Sequence, residues 1–304
     1  GGNYNVVVGD EAGTAITIGD NNVAVGYGAG DAIVSSSNNV AIGNLSLSAD
    51  TLGGRSVAIG SSALAAQNFT TATNAYNTAV GFTAGQAVTT GVQNTLIGGL
   101  AGDALTGGGF SGDTRQAGAD YNVAIGISSL GLDTKGNKSV AIGAETLTTQ
   151  NFTSSTDSLN TAVGYAAGKV VSTGVNNTLI GANAGILTNT GHSNTFIGQD
   201  AGGSNTSGDS NIVIGNGINA ASATADSQLS IGGWITGAAG LIAIGSNTVA
   251  AASTSGDEFV IKGPGTTAVG MTISNSSNAG TGSIFFGDAS NSTVGQIRYN
   301  HNTD

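Results

Sequence analysis

The sequence has no cysteine, one proline and very little charge. Without cysteine, neither a disulfide framework nor a thiolate metal site can form, and the redox compartment is not encoded. Charged residues make up 8% of the 304, about a third of the share usual in a mixed α/β enzyme. Lys and Arg total 7 against 18 Asp and Glu, a net charge of -11, and this speaks against nucleic acid as a partner because phosphate binding needs basic clusters. Anionic membrane surfaces are disfavoured for the same reason. Aromatics are 5%, too few for a core built around large rings. The opening residues, GGNYNVVVGD, carry neither a basic stretch nor a long apolar one, so no signal peptide or membrane insertion is expected from them.

What the chain does contain is glycine, 52 residues of it, with Ala, Val, Ile and Leu spread evenly. A chain rich in Gly, Ser, Thr and Asn can be disordered when it buries too little apolar surface to offset chain entropy. Regularity argues against that here. A motif of the form N-[VT]-A-[VI]-G recurs, ending at Gly9, Gly26, Gly43, Gly60, Gly81, Gly98, Gly126, Gly143, Gly164, Gly181, Gly198, Gly215 and Gly232. The spacing is 17 residues, lengthened to 21 or 28 where 4 or 11 residues are inserted. Such a repeat predicts an all-β fold, a parallel β-solenoid with one coil per unit. About fifteen coils at about 4.8 Å each would make a rod about 70 Å long.

The residue before each glycine is Val or Ile, and two positions earlier stands Val, Thr, Ile or Leu. Alternate residues of a strand share a face, so these two columns are expected to point into the solenoid. The small column between them, including Ala24, Ala41 and Ala58, is then expected to face solvent or a neighbouring chain. Four positions before each glycine lies a polar side chain, among them Asn22, Asn39, Ser56, Asn77 and Asn94, able to bond nearby backbone and to stack into a ladder. The glycine itself suits a positive φ or a close backbone approach. The small residues after it, as in YGAG at 27 to 30, read as a second, shorter strand.

Residues 40 to 98 resemble residues 123 to 181, with the four-residue insertions at matching places. From about residue 250 the pattern changes to short irregular strand candidates: EFVIKG, TAVGMTIS, GSIFFGD and VGQIRYNHN. The expected division is a solenoid over 1–250 and a β-rich fibre segment over 251–304.

At its NVAIG, SVAIG and NTAVG coils the sequence resembles the head repeats of YadA-like trimeric adhesins, over roughly residues 3 to 245. That resemblance implies a left-handed parallel β-roll and a homotrimer. The last residues, GSIFFGDASNSTVGQIRYNHNTD, look like the segment of phage tail fibres and spikes that precedes an intramolecular chaperone. Together these imply a structural, receptor-binding fibre protein of a virion. Its partners would be other tail proteins and a host cell-surface glycan or protein. A cellular trimeric surface adhesin is the alternative.

No enzymatic constellation is recognisable, and no cofactor or metal is expected. His192 lies in the turn NTGHSN, and His301 is near the end, where a threefold axis could gather three copies. Recognition is expected in the insertions, where a solenoid can vary without breaking its stack. Those at 66 to 76 and 149 to 159 carry Phe69, Tyr76 and Phe152, and that at 103 to 121 carries Phe110, Asp113, Arg115 and Tyr121. Such rings beside short polar groups can stack on sugars, or can simply cover the coil edge. Trp234 is expected to seal the last coil. A column of Thr78, Thr95, Thr161, Thr178 and Thr195 raises ice binding as a further class, opposed by its expected inward direction.

Overall fold

A computed structural model describes residues 2–107 and 119–238 continuously, and beyond them the strands Leu241–Ile244, Phe259–Ile261, Thr281–Phe286 and Gly295–Asn300. No helix occurs among the described residues. Thirteen three-residue strands stack in parallel, each paired with the next in unbroken register. They are numbered here as rungs 1 to 13: Val6–Val8, Val23–Val25, Val40–Ile42, Val57–Ile59, Thr78–Val80, Thr95–Ile97, Val123–Ile125, Val140–Ile142, Thr161–Val163, Thr178–Ile180, Thr195–Ile197, Ile212–Ile214 and Leu229–Ile231. A coil takes the number of its rung.

The polarity of the rungs is the reverse of the sequence expectation. Ala24, Ala41, Ala58, Ala79, Leu96, Ala124, Ala141, Ala162, Leu179, Phe196 and Val213, the middle residues, are fully buried. The Val and Ile that flank them point outward, with Ile42 at 37% and Ile180 at 39% exposure. The physical reason lies in the corner asparagine. It sits two residues before the middle residue, hence on the same face, and its side chain must reach inward to meet the backbone of its own coil. Asn22, for example, donates from Nδ2 to the Ser36 carbonyl at 3.0 Å, while its Oδ1 accepts the Asn39 backbone N–H at 3.0 Å. The same two bonds recur at Asn77, Asn94, Asn122, Asn160, Asn177 and Asn194. Once that ladder fixes the inner face, a single small side chain per rung fills the narrow space behind it.

Each rung ends on a glycine whose neighbours in the stack are also glycines. Gly43 has φ +131°, and a Cβ placed on it would lie 2.5 Å from the Gly60 carbonyl oxygen, so both a left-handed backbone and a backbone contact require glycine there. After it the chain makes turns rather than the expected second strand. The only additional small sheets among the described solenoid residues pair Gly53–Gly54 with Thr73–Asn74 and Gly136–Asn137 with Thr156–Asp157, beside the two four-residue insertions.

At the far end the direction of pairing changes. Ile235–Ala238 runs antiparallel to rung 13, Leu241–Ile244 antiparallel to it in turn, and Phe259–Ile261 continues the same sheet in parallel. That last strand lies beyond residue 250. Thr281–Phe286 and Gly295–Asn300 form a separate antiparallel pair.

Candidate functional site: an apolar face and its insertions

Two features stand out on the rod. One is the outward face of the rungs, where two columns of β-branched side chains run side by side. At a spacing of about 4.8 Å the stack of thirteen is about 60 Å long, so the stripe covers an area on the order of 600 Å². Thr78, Thr95, Thr161, Thr178 and Thr195 belong to its first column and therefore face outward too, in contrast to the expected inward direction. Aromatic and aliphatic side chains border the stripe, among them Tyr27, Phe82 and Tyr165 just after their rungs and Tyr76, Tyr121 and Leu159 just before theirs, all exposed.

The second feature is the set of insertions, which leave coils 4, 6 and 8 at one corner. Coils 4 and 8 share an internal polar chain. Gln67 donates from Nε2 to Asp50 Oδ2 at 2.5 Å and to Ser56 Oγ at 3.0 Å, and its Oε1 accepts from Asn77 Nδ2 at 2.8 Å. Gln150 repeats this with Asp133, Ser139 and Asn160 at 2.5, 2.9 and 2.8 Å. At these corners the asparagine is replaced by Ser56 and Ser139, and the glutamine amide donates to their hydroxyls. Asp50 also accepts the N–H groups of Gly53 and Phe69, and Asp133 those of Gly136 and Phe152, which ties the start of each insertion to the coil before it.

Burial pushes the Asp50 and Asp133 carboxyls above their ordinary range, and the hydrogen bonds from glutamine and backbone pull them part of the way back. Burial likewise raises Asp103. Asp120, which accepts the Val92 N–H, is pushed up by burial to about 6. Among the described residues no cation pairs with Asp50 or Asp133.

These contacts decide several of the expected site residues. Phe69 and Phe152 are 4% and 6% exposed and pack behind the insertions, so they cover the coil edge and cannot offer a ring face to a ligand. Tyr76 and Tyr121 are exposed, but on the corner leading into rungs 5 and 7 rather than at a loop tip. Phe110, Asp113 and Arg115 lie outside the described residues, as does His301. His192 is part of a backbone ladder: its Nδ1 accepts the Val175 N–H at 3.0 Å and its own N–H donates to Asp209 at 2.7 Å. Trp234 is 77% exposed and does not seal the last coil. Sequence reasoning missed the outward stripe itself. The signal for it was available, since asparagine and the middle residue share a parity.

No protein-family model matches the chain, and no curated protein or solved structure does. Among the described residues no group of three or more His, Asp or Glu is placed to hold a metal ion, and no helix is long and apolar enough to cross a membrane.

Proposed function

We propose that this chain is a structural, receptor-binding rod that works as a homotrimer, as part of a phage tail fibre or spike. The observation that carries the reading is the continuous outward stripe of Val, Ile and Thr. A monomer leaving such a stripe in water exposes an apolar patch at the upper end of what soluble proteins tolerate, and parallel copies packed side by side would cover it along its whole length. The number three and the virion setting come from the resemblance to YadA-like heads and to the tail-fibre segment at residues 282 to 304. Association would leave the insertions outward to meet a host-surface glycan or protein. No catalytic chemistry enters this reading.

Light scattering tests the assembly: a particle of about three times 29.3 kDa is expected, and a monomer at every concentration overturns it. Gold-labelled antibody against the chain, imaged on intact particles and cells, tests the setting. Label on virion tails is expected, and label on the cell surface selects the cellular adhesin instead. The outward threonines favour a second reading, ice binding through the same stripe. A monomer with thermal hysteresis selects that one.

A further inference from the structure

The apolar face has two edges, and from rung 5 to rung 10 both change character at the same rungs, whereas at rungs 1 and 2 a tyrosine on one edge, Tyr4 or Tyr27, stands opposite Asp10 or Asn21. Rung 5 is bracketed by Tyr76 before it and Phe82 after it, rung 7 by Tyr121 and Ile127, and rung 9 by Leu159 and Tyr165, all six exposed. The intervening rungs 6, 8 and 10 are bracketed by Gln93 and Gly99, Lys138 and Ala144, and Asn176 and Ala182. Large apolar groups therefore alternate with small or polar ones every two rungs, about 10 Å apart, on both edges in step.

Two facts make this pattern more than a by-product of the repeat. Tyr76, Tyr121 and Leu159 have φ of +51°, +60° and +51°, a left-handed conformation unfavourable for bulky side chains. Elsewhere the same left-handed corner is taken by Asn21, Asn38, Asn176, Ser193, Ser210 and Ser227, by the larger polar Arg55, Gln93 and Lys138, and by Tyr4 at the first rung, so a large apolar group there is the exception. Duplication by 83 residues relates the brackets of rungs 5 and 9, but the counterparts of Tyr121 and Ile127 are Asn38 and Asn44. The middle bracket was built separately, in step with the other two.

We propose that these brackets fix the axial register between neighbouring parallel copies of this chain: the Tyr76, Tyr121 and Leu159 edge of one copy meets the Phe82, Ile127 and Tyr165 edge of the next. This rests on the parallel-assembly reading above and adds which residues meet. A two-fold contact about an axis across the rod would set each edge against its own reversed copy, so the two edges would not need to match each other. A head-to-tail ring about an axis along the rod joins unlike edges at equal height, and so requires the two to match rung by rung. A slip of one rung would set each ring against Gly99, Ala144 or Ala182 and leave its apolar surface uncovered.

Because the chain has no cysteine, disulfide mapping gives a clean test on the whole protein. The double variants Tyr76→Cys/Phe82→Cys and Tyr121→Cys/Ile127→Cys place matched cysteines, and Tyr76→Cys/Ile127→Cys places them two rungs apart. Within one chain the matched pair is separated by an extended segment of about 15 Å or more, beyond disulfide reach at about 7 Å between Cα atoms, so any bond formed joins copies. Covalent oligomers are expected from both matched variants under mild oxidation, at least tenfold more than from the mismatched one. As a second readout, Tyr121→Ser/Ile127→Ser should raise the dissociation constant of the assembly at least tenfold, with Gln93→Ser leaving it within about twofold. An oligomer whose matched and mismatched variants cross-link equally, or which is indifferent to the serine changes, overturns this pairing while leaving assembly intact. A protein monomeric throughout removes both.

Discussion

Coil 5 and coil 4 fill the same inner space in opposite ways. In coil 5 the fourth residue after the rung glycine is Gly85 and the seventh is the buried Val88; in coil 4 those places hold the buried Leu64 and the polar Gln67. The two choices exclude one another, since a Cβ on Gly85 would lie 3.3 Å from a Val88 methyl and 2.6 Å from Leu96. Coils 2, 6 and 9 follow the first pattern with Gly30 and Ile33, Gly102 and Leu105, and Gly168 and Val171. Coils 3, 7 and 8 follow the second with Leu47 and Asp50, Leu130 and Asp133, and Leu147 and Gln150. Moving the apolar group three residues earlier frees the later position for a polar side chain, and that side chain holds a four-residue insertion. Coils 2, 5, 6 and 9 fill their interior by packing, whereas each coil with a four-residue insertion, and the coil before it, shares the interior with a hydrogen-bonded bridge.

The largest effect should come from emptying the inner space of coil 4. Leu64→Gly relieves a left-handed leucine at φ +49° but removes a fully buried side chain, a net loss of about 3 kcal/mol, read from urea unfolding. The double variant Leu64→Gly/Gln67→Val copies coil 5 into coil 4. It should restore about half of that loss and no more, because Asp50, Ser56 and Asn77 then lose the amide between them. Full recovery would mean that the bridge contributes nothing. Gln67→Leu alone, with Leu64 kept, should cost about 2 kcal/mol from the polar groups left unpaired, and should raise protease cleavage within residues 68 to 76 before global unfolding.

Acid separates the regions in another way. The raised carboxyls, Asp50, Asp103, Asp120 and Asp133, all belong to coils 3, 6 and 7. A carboxyl whose pKa is higher folded than unfolded binds its proton more tightly in the folded state. Its contribution is fully present below the unfolded value near 3.8 and is lost as pH rises through the folded value, about 6 for Asp120. Stability should therefore fall between about pH 4 and pH 7, by about 1 to 2 kcal/mol from Asp120 after allowance for its partial contact with solvent. Asp120→Asn should flatten that part of the profile. A stability that instead rises over this window would show that the carboxylate is better solvated than its burial implies.

The period, the insertions and the corner asparagine were all legible in the sequence, because each depends on identity at a fixed spacing. The facing of the rungs was not read correctly, because it depends on width. Val and Ile are the larger residues and look like core, yet the coil is too narrow to hold two such columns beside the buried Asn39 and Asn77 ladders. Leu96, Leu179 and Phe196 enter the inner column only where Gly85, Gly102, Gly168, Gly185 and Gly202 leave space, within 3.1 Å of where a Cβ would stand. The buried Phe69 and Phe152 were ambiguous for a related reason: a ring in an insertion looks alike whether it anchors the loop or is offered outward. The burial of the two rings, with the Asp50 and Asp133 contacts to their backbone N–H groups, distinguishes the two.

The smallest expected effect separates the two copies of the insertion itself. At the corner of coil 3 the Arg55 Nε donates to Asn74 Oδ1 at 3.1 Å, with its guanidinium 5.6 Å from the Tyr76 ring centre; 83 residues on, Lys138 pairs with Asp157 at 2.5 Å beside Leu159. Both partners of the second pair are about half exposed, so solvent and salt screen it, and Lys138→Ala should cost no more than about 0.5 kcal/mol, vanishing in 1 M salt. Arg55→Ala should cost about 0.5 to 1 kcal/mol and change little with salt, because Asn74 is neutral and the ring attraction acts at short range. Equal salt dependence at both corners would mean that Arg55 acts through its charge on the surrounding acidic rod rather than through Tyr76. The strained tyrosine would then have no partner within its own chain, and the contact that holds it would have to come from a neighbouring copy.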